Sequence, residues 1–190
     1  MPGLLARYDA LIAGGELRAD PDQRAAAEKL ATLQDALESP PPATGLIGKL
    51  FGSKPAPPPR GLYIWGGVGR GKSMLMDLAF ERLPVAAKRR VHFHAFMIEV
   101  HQRLRKERET KQGEPIQAVA EAIAGETSLL CFDEMVVNNS ADAMILSRLF
   151  TALLEEGVAV VTTSNRPPQD LYKDGLNREL FLPFIALLEE

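Results

Sequence analysis

Apolar residues along the chain form either stripes at helical spacing or short continuous runs, and these two patterns are typical of helices and buried strands. Helices are predicted at 2–13, 22–38, 74–80, 95–108, 115–124 and 141–156, with a last one that follows Phe181. Strands are predicted at 62–65, 90–94, 128–132 and 158–163. Because strands and helices alternate, the chain is predicted to be an α/β protein with a mostly parallel sheet.

Two of the predicted helices have a clear apolar face. In the second helix this face is formed by Ala25, Leu30, Leu33 and Leu37. In the helix at 141–156 it is formed by Met144, Ile145, Leu149, Leu153 and Leu154. Asp20 or Asp22 is placed to cap the start of the second helix. We interpret the stripe on that helix as packing, with a nucleotide-base pocket beside it as the alternative.

Residues 39–59 differ in composition from the rest of the chain, with seven prolines around a short apolar island at 46–51. Proline fixes φ and removes a backbone donor, so this stretch is predicted to be a partly extended linker whose island docks on the domain. The chain is accordingly divided into an N-terminal helical segment (1–38), the linker (39–59) and a core domain (60–190).

The most informative stretch is GLYIWGGVGRGKS at 61–73, where an apolar strand runs directly into the motif G-x-x-x-x-G-K-[ST]. The glycines allow the backbone to curl around a phosphate, Lys72 reaches the β- and γ-phosphates, and the Ser73 hydroxyl is placed to bind Mg²⁺. We predict that ATP contacts the whole loop and the start of the next helix, through Gly66, Gly67, Val68, Gly69, Arg70, Gly71, Lys72, Ser73 and Met74. The alternative is a glycine-rich turn with an incidental lysine.

Two acidic residues, Asp133 and Glu134, follow the apolar run at 129–132. Parallel strands deliver such residues to the edge of the sheet where ligands bind. In a P-loop ATPase the first acid holds Mg²⁺ and the second polarises the attacking water, so Ser73 and Asp133 are the predicted metal ligands and Glu134 the predicted base. Asn165, just after the strand at 158–163, can orient that water. The alternative for the two acids is a strand end with surface carboxylates.

Structural or solvated roles are favoured for three histidines and for one charged run. His92, His94 and His101 have no accompanying cluster of acids or cysteines, so structural roles are favoured over a metal site. The run 103–109 mixes charges and is interpreted as a solvated helix face, with a nucleic-acid or partner surface as the alternative.

Composition limits the classes of function. A net charge of -3 argues against non-specific binding of nucleic acid as the main task. The single cysteine, Cys131, excludes a disulfide framework and fits a reducing compartment. No apolar stretch is long enough to span a bilayer, and the N-terminus has no secretory or transit pattern, so a cytoplasmic location is expected.

Five segments together carry a family resemblance: GLYIWGGVGRGKSMLMD, RRVHFHAFM, LLCFDE, ADAMILSRLF and TTSNRPPQDLYKDGLNRELFLPFI. They resemble the ZapE-type cell-division ATPases of bacteria and their mitochondrial counterparts, a branch of the AAA+ superfamily, and the resemblance runs from about Tyr8 to the end. It implies a three-layer P-loop core and a homo-oligomer that couples Mg-ATP hydrolysis to remodelling of a protein partner, possibly the tubulin-like division-ring protein.

The resemblance also implies roles for single residues. Lys72 and Ser73 take the Walker A roles, Asp133 and Glu134 the Walker B roles, and Asn165 the sensor 1 role. Arg178 is the candidate arginine finger, which would reach the γ-phosphate in a neighbouring subunit, and Arg166 is the second choice. A surface arginine that caps a helix is the alternative for Arg178.

The chain departs from the family pattern in two places. Position 139, where an acid is expected, is Asn139. The chain also ends before the fifth strand and helical lid of an AAA+ core, so we expect a truncated form in which the strand at 62–65 has an unpaired edge. Two other functions stay open: a nucleotide-gated binding module with little hydrolysis, and a DNA-remodelling or helicase-loader ATPase.

Overall fold

The computed structural model describes residues 3–38, 60–110 and 113–190, so the predicted linker at 39–59 lies outside the described residues. The α-helices are α1 (Leu4–Ala13), α2 (Pro21–Glu38), α3 (Lys72–Arg82), α4 (Phe93–Thr110), α5 (Pro115–Glu126), α6 (Ser140–Glu155) and α7 (Leu182–Glu189). The strands are β1 (Gly61–Trp65), β2 (Lys88–His92), β3 (Leu129–Asp133) and β4 (Ala159–Ser164). Two short 3-10 helices, Pro168–Asp170 and Arg178–Leu180, lie between β4 and α7.

The four described strands form one parallel sheet in the order β1-β4-β3-β2. All carboxyl ends therefore lie at the same edge, where Trp65 pairs with Ser164 and His92 with Asp133. The predicted α/β class and parallel sheet are confirmed. In the described part of the chain β1 forms one border of the sheet, and Trp65 is 57% exposed, which differs from the buried strand predicted there.

Helices cover both faces of the sheet. Since side chains alternate along a strand, Leu129 and Cys131 of β3 face one way and Leu130 and Phe132 the other. The first pair packs in a core with α1, α2 and α3. The second pair packs in a larger core with α4 to α7. The N-terminal helices thus share a core with the sheet, and the architecture has three layers.

Helix α2 begins as expected from its capping residue. The Asp20 carboxylate accepts hydrogen bonds from the backbone amides of Asp22 and Gln23, at 2.9 and 3.1 Å. The buried positions of this helix are Ala27, Leu30 and Leu33. The inclusion of Ala25 in the stripe was wrong, because Ala25 is exposed and Ala27 takes its place.

Two further expectations need correction. The strand predicted at 90–94 ends at His92, because Phe93 begins α4 and its buried ring packs edge-on against Phe132. The face predicted for α6 is correct at four positions that lie in or against the larger core, Ile145, Leu149, Leu153 and Leu154. Met144 is the exception, because it is 49% exposed, while Leu146 and Phe150 are buried. The first error concerns where a strand ends and the second which side of a helix is buried, and both depend on packing against residues distant in sequence.

The mixed-charge run at 103–109 is only partly a solvated face. Leu104 is buried in the larger core. Arg103 donates hydrogen bonds to the Glu126 carboxylate at 2.8 and 2.7 Å and to Glu99 at 3.0 Å. This helix face is therefore tied to α5 through ion pairs.

Candidate active site

The glycine-rich loop connects β1 to α3 at the carboxyl edge of the sheet. Gly69 and Gly71 have φ values of 77° and 78°, in the left-handed region that favours glycine. At Gly71 a side chain would also meet Gln23 of α2, whose Nε2 atom lies 2.8 Å from the position of an added Cβ. Helix α3 begins directly after Gly71, so its free N-terminal amides border the loop, an arrangement that binds phosphate.

Lys72 lies across this loop. Its ammonium donates hydrogen bonds to the carbonyls of Gly66 and Gly67, both at 2.7 Å. Burial lowers the pKa of Lys72, and the nearby charge of Glu134 partly offsets that effect. The cation is thus already located between the loop and the acids at the end of β3.

The tip of β4 fixes the backbone around those two acids. Asp133 ends β3, and Glu134 follows it with a φ of 56°, an unusual conformation for a residue with a side chain. The Glu134 amide donates to the Thr163 hydroxyl at 3.1 Å, and the Met135 amide donates to the Thr163 carbonyl at 2.7 Å. The Ser164 hydroxyl in turn donates to the Met135 carbonyl at 2.8 Å. These contacts position Glu134 at the mouth of the loop.

Arg90 of β2 contacts Asp133 directly, a contact that was not predicted from the sequence. Its Nε donates to Asp133 Oδ2 at 2.7 Å and its Nη2 to Asp133 Oδ1 at 3.0 Å, while Nη1 donates to Asp77 of α3. Hydrogen bonding to Asp133 raises the pKa of Arg90 above its ordinary value, so the guanidinium stays charged. The signal in the sequence was a basic residue two positions before the end of a strand that flanks the acids.

These groups surround one open cleft with a volume of about 640 Å³. It is lined by Val68, Gly69, Arg70, Gly71, Lys72, Ser73, Met74, Arg90, His92, Asp133, Glu134, Thr163, Ser164 and Asn165. The structure therefore brings together most of the predicted site residues, including the acids at 133 and 134 and the amide at 165. Gly66 and Gly67 join the cleft through their bonds to Lys72.

The donor set suits magnesium. Ser73 and Asp133 both line the cleft and offer a hydroxyl and a carboxylate oxygen. Mg²⁺ prefers such hard oxygen donors and usually takes only one or two from the protein, with water and phosphate oxygens completing its shell. In the described ranges there is no group of three or more His, Cys, Asp or Glu residues that could form an all-protein metal cage.

Comparison with known proteins gives the family. The sequence model of the AFG1-like ATPases matches residues 3–190. The chain belongs to the AFG1-like ATPase family. Cell division protein ZapE of Escherichia coli (strain K12) is 41% identical over 195 residues, which covers 97% of this chain and 52% of that protein. Lactation elevated protein 1 homolog B of Danio rerio is 39% identical, covering 98% of this chain and 47% of that one.

This AFG1-like chain thus spans about half the length of the curated relatives it matches. Among solved structures, the replication initiator DnaA bound to AMPPCP and single-stranded DNA aligns with a TM-score of 0.57, 17% identity and coverage of 92% of this chain and 46% of that one. The DnaI structure gives a TM-score of 0.57, also at 17% identity, and covers 91% of this chain and 81% of that one. At this identity the likeness shows the P-loop AAA+ fold alone.

The candidate arginine finger of the AFG1-like chain lies away from its own cleft. Arg178 opens the second 3-10 helix, and its guanidinium donates to the carbonyls of Leu171 at 2.9 Å and Gln169 at 2.6 Å. Arg166, the second choice, is exposed, and its carbonyl accepts a 2.8 Å hydrogen bond from the Tyr63 hydroxyl. The role of either residue stays a prediction.

Asn139 has a local structural role. Its side chain caps α6 by accepting from the Asp142 amide at 2.8 Å, and its amide group donates to the Asp142 carboxylate at 2.6 Å. Asp142 is buried, and its other oxygen lies 2.6 Å from His101 Nε2. An amide at position 139 can bind the Asp142 carboxylate, whereas an ionised acid there would repel it.

In the described part of this AFG1-like chain, no helix combines the length and the apolar character needed to cross a bilayer.

Proposed function

We propose that this chain binds Mg-ATP in the cleft between the glycine-rich loop and the tips of β3 and β4, and hydrolyses it. The observation that carries the proposal is the convergence of Lys72, Asp133 and Glu134 on one cleft. Loop amides, the start of α3 and the lysine offer positive charge to the phosphates, and the two acids lie opposite them.

Each residue has a distinct role in the proposal. The loop from Gly66 to Met74 binds the phosphates, and Lys72 moves from its carbonyl partners to the β- and γ-phosphate oxygens. Ser73 and Asp133 hold Mg²⁺, which supplies charge neutralisation for phosphoryl transfer when it is bound. Glu134 accepts a proton from the attacking water, and Asn165 orients that water.

A neighbouring subunit completes the site in this proposal. Arg178 lies outside the lining of its own cleft. To reach a cleft in another copy of the chain, its guanidinium would have to leave the carbonyls of Leu171 and Gln169. An arginine supplied in this way stabilises charge in the transition state. The proposal therefore includes a homo-oligomer in which turnover depends on contact between subunits.

Turnover is proposed to remodel a protein partner in the cytoplasm. The support is the identity to a protein named for cell division, and the proposed partner is the tubulin-like protein of the division ring. The relatives are about twice as long as this chain. The partner is therefore proposed for a protein of the relatives' length and not for the 190 residues alone.

The test is to replace Glu134 by Gln and to measure phosphate release together with ATP binding. We expect release to fall about 100-fold or more while binding is retained, because only the proton acceptor is lost. Glu155→Gln, an exposed position at the end of α6, is the matched control and should behave as the unchanged chain. Unchanged release in Glu134→Gln would refute the assignment.

The same assay tests one of the other two functions, and a DNA-binding measurement tests the other. A nucleotide-gated module would bind ATP without releasing phosphate at any protein concentration. A DNA-remodelling ATPase would bind single-stranded DNA at low salt. The mixed-charge run at 103–109 supports that last function only weakly, because Arg103 is engaged by Glu126 and Glu99.

A further inference from the structure

Arg90 connects the proposed magnesium ligand to a second element. It bonds both oxygens of Asp133, at 2.7 and 3.0 Å, and also donates to Asp77 on α3. The side chains of Arg90 and Asp133 are 27% and 18% exposed, so water screens this pair less than a surface ion pair. Two-point contact with a carboxylate fixes the orientation of both partners.

The pairing matters because of the surrounding charges. Asp77, Asp133 and Glu134 bring three carboxylates to this side of the cleft, and the Lys72 ammonium is turned toward the loop carbonyls. Arg90 bonds two of these three acids. A partly buried carboxylate that loses its partner is strongly unfavourable, so a cation is needed at Asp133 whether or not nucleotide is bound.

We infer that Arg90 is a positioning residue. Its guanidinium supplies the positive charge at Asp133 when Mg²⁺ is absent, and it releases one carboxylate oxygen when magnesium nucleotide enters. This inference rests on the proposed function. Asp77 gives the guanidinium a second anchor, so Arg90 can loosen its hold on Asp133 and remain beside the cleft. Arg90 thereby keeps the Asp133 carboxylate oriented between cycles and sets how much Mg²⁺ the site requires.

Competition between two cations has a measurable consequence. Removal of the guanidinium frees both Asp133 oxygens and removes a positive charge beside the carboxylate that would hold the metal. The Mg²⁺ concentration that gives half-maximal nucleotide binding should then fall roughly tenfold in Arg90→Gln, because the repulsion between the guanidinium and Mg²⁺ in a solvent-exposed site is lost. Without Mg²⁺ the same variant should melt at a lower temperature, because Asp133 has lost its partner.

The experiment titrates Mg²⁺ against a fluorescent ATP analogue at fixed concentration and records melting temperatures in EDTA. Arg89→Gln is the matched control, because Arg89 precedes Arg90 on β2, points to the other face and pairs with Glu99 at 3.0 Å. We expect the control to keep the Mg²⁺ midpoint of the unchanged chain. Arg90→Lys keeps the charge but loses the two-point contact, so its midpoint should lie between those of the unchanged chain and Arg90→Gln.

Each outcome bears on one proposal. If the unchanged chain binds no nucleotide at any Mg²⁺ concentration, the proposed function fails. If it binds nucleotide but Arg90→Gln has the same or a higher Mg²⁺ midpoint, the inference about Arg90 is wrong. Should Arg90→Gln not fold, Arg90→Lys decides, since a midpoint equal to that of the unchanged chain would refute competition for the carboxylate.

Discussion

The backbone amide of Glu134 donates a 3.1 Å hydrogen bond to the Thr163 hydroxyl, which fastens the tip of β3 to β4. Glu134 has a φ of 56°, a conformation that the surroundings must maintain. The buried Thr163 side chain, which also lines the cleft, therefore holds the backbone of the proposed base. We expect the direction of the Glu134 carboxylate to depend on this contact.

Thr163→Val tests this relationship, because valine has nearly the same shape but no hydroxyl. We expect a loss of about 1–3 kcal/mol in the free energy of unfolding, since the Glu134 amide loses its partner. Phosphate release should fall roughly tenfold or more, with ATP binding retained. Thr162→Val is the control, because its hydroxyl makes only a 3.4 Å contact with the Phe132 carbonyl. Full hydrolysis in Thr163→Val would contradict the relationship.

Gly71→Ala tests the geometry of the loop. At a φ of 78° an added methyl group costs about 1–2 kcal/mol, and it would also displace Gln23. We expect lower stability in urea unfolding and weaker ATP binding. Gly125→Ala in α5, where nothing lies within 4 Å of an added Cβ, should instead be neutral or stabilising. Equal effects of the two substitutions would show that the loop tolerates side chains.

Stability at acid pH should depend on Glu99. Hydrogen bonding to Arg89 lowers the pKa of Glu99, so the unfolded chain binds a proton more readily than the native one. The contribution is complete above the ordinary glutamate pKa of about 4.3 and is lost as the pH falls through the lower native value. Urea unfolding between pH 7 and pH 3 should show a shallower loss in Glu99→Gln than in Glu109→Gln, an exposed control on the same helix. Parallel curves would exclude this ion pair as a source of acid sensitivity.

Mixed subunits test whether Arg178 acts on a neighbouring copy. Arg178→Ala and Glu134→Gln should each be nearly inactive alone, because an arginine finger and a general base are both needed. An equal mixture should recover about a quarter of the activity, since a head-to-tail oligomer then forms some sites with both residues intact. A mixture of Arg166→Ala with Glu134→Gln tests Arg166, the second candidate for the arginine finger, in the same way. Mixtures no more active than their components would argue against a shared site.

The parts of the site that could be predicted were local in sequence. The loop at 66–73 and the acids at 133 and 134 are contiguous, and alternating strands and helices were enough to place them at one edge of a parallel sheet. Arg90 and Thr163 were missed because their partners lie 43 and 29 residues away, and only the strand register brings them together. Phe93 was placed in a strand and Met144 on a buried helix face for a related reason, since packing against residues distant in sequence decides both.

Calorimetric titration of Mg-ATP into the chain tests most directly whether one cleft binds magnesium nucleotide through Lys72. The unchanged chain should bind one nucleotide per subunit, and Lys72→Ala should lose roughly 1.5–3 kcal/mol of binding free energy, the worth of a charged hydrogen bond. Lys173→Ala, at an exposed lysine paired with Asp170, should bind as the unchanged chain does. Binding by Lys72→Ala as tight as that of the unchanged chain, or no binding by either, would contradict the account.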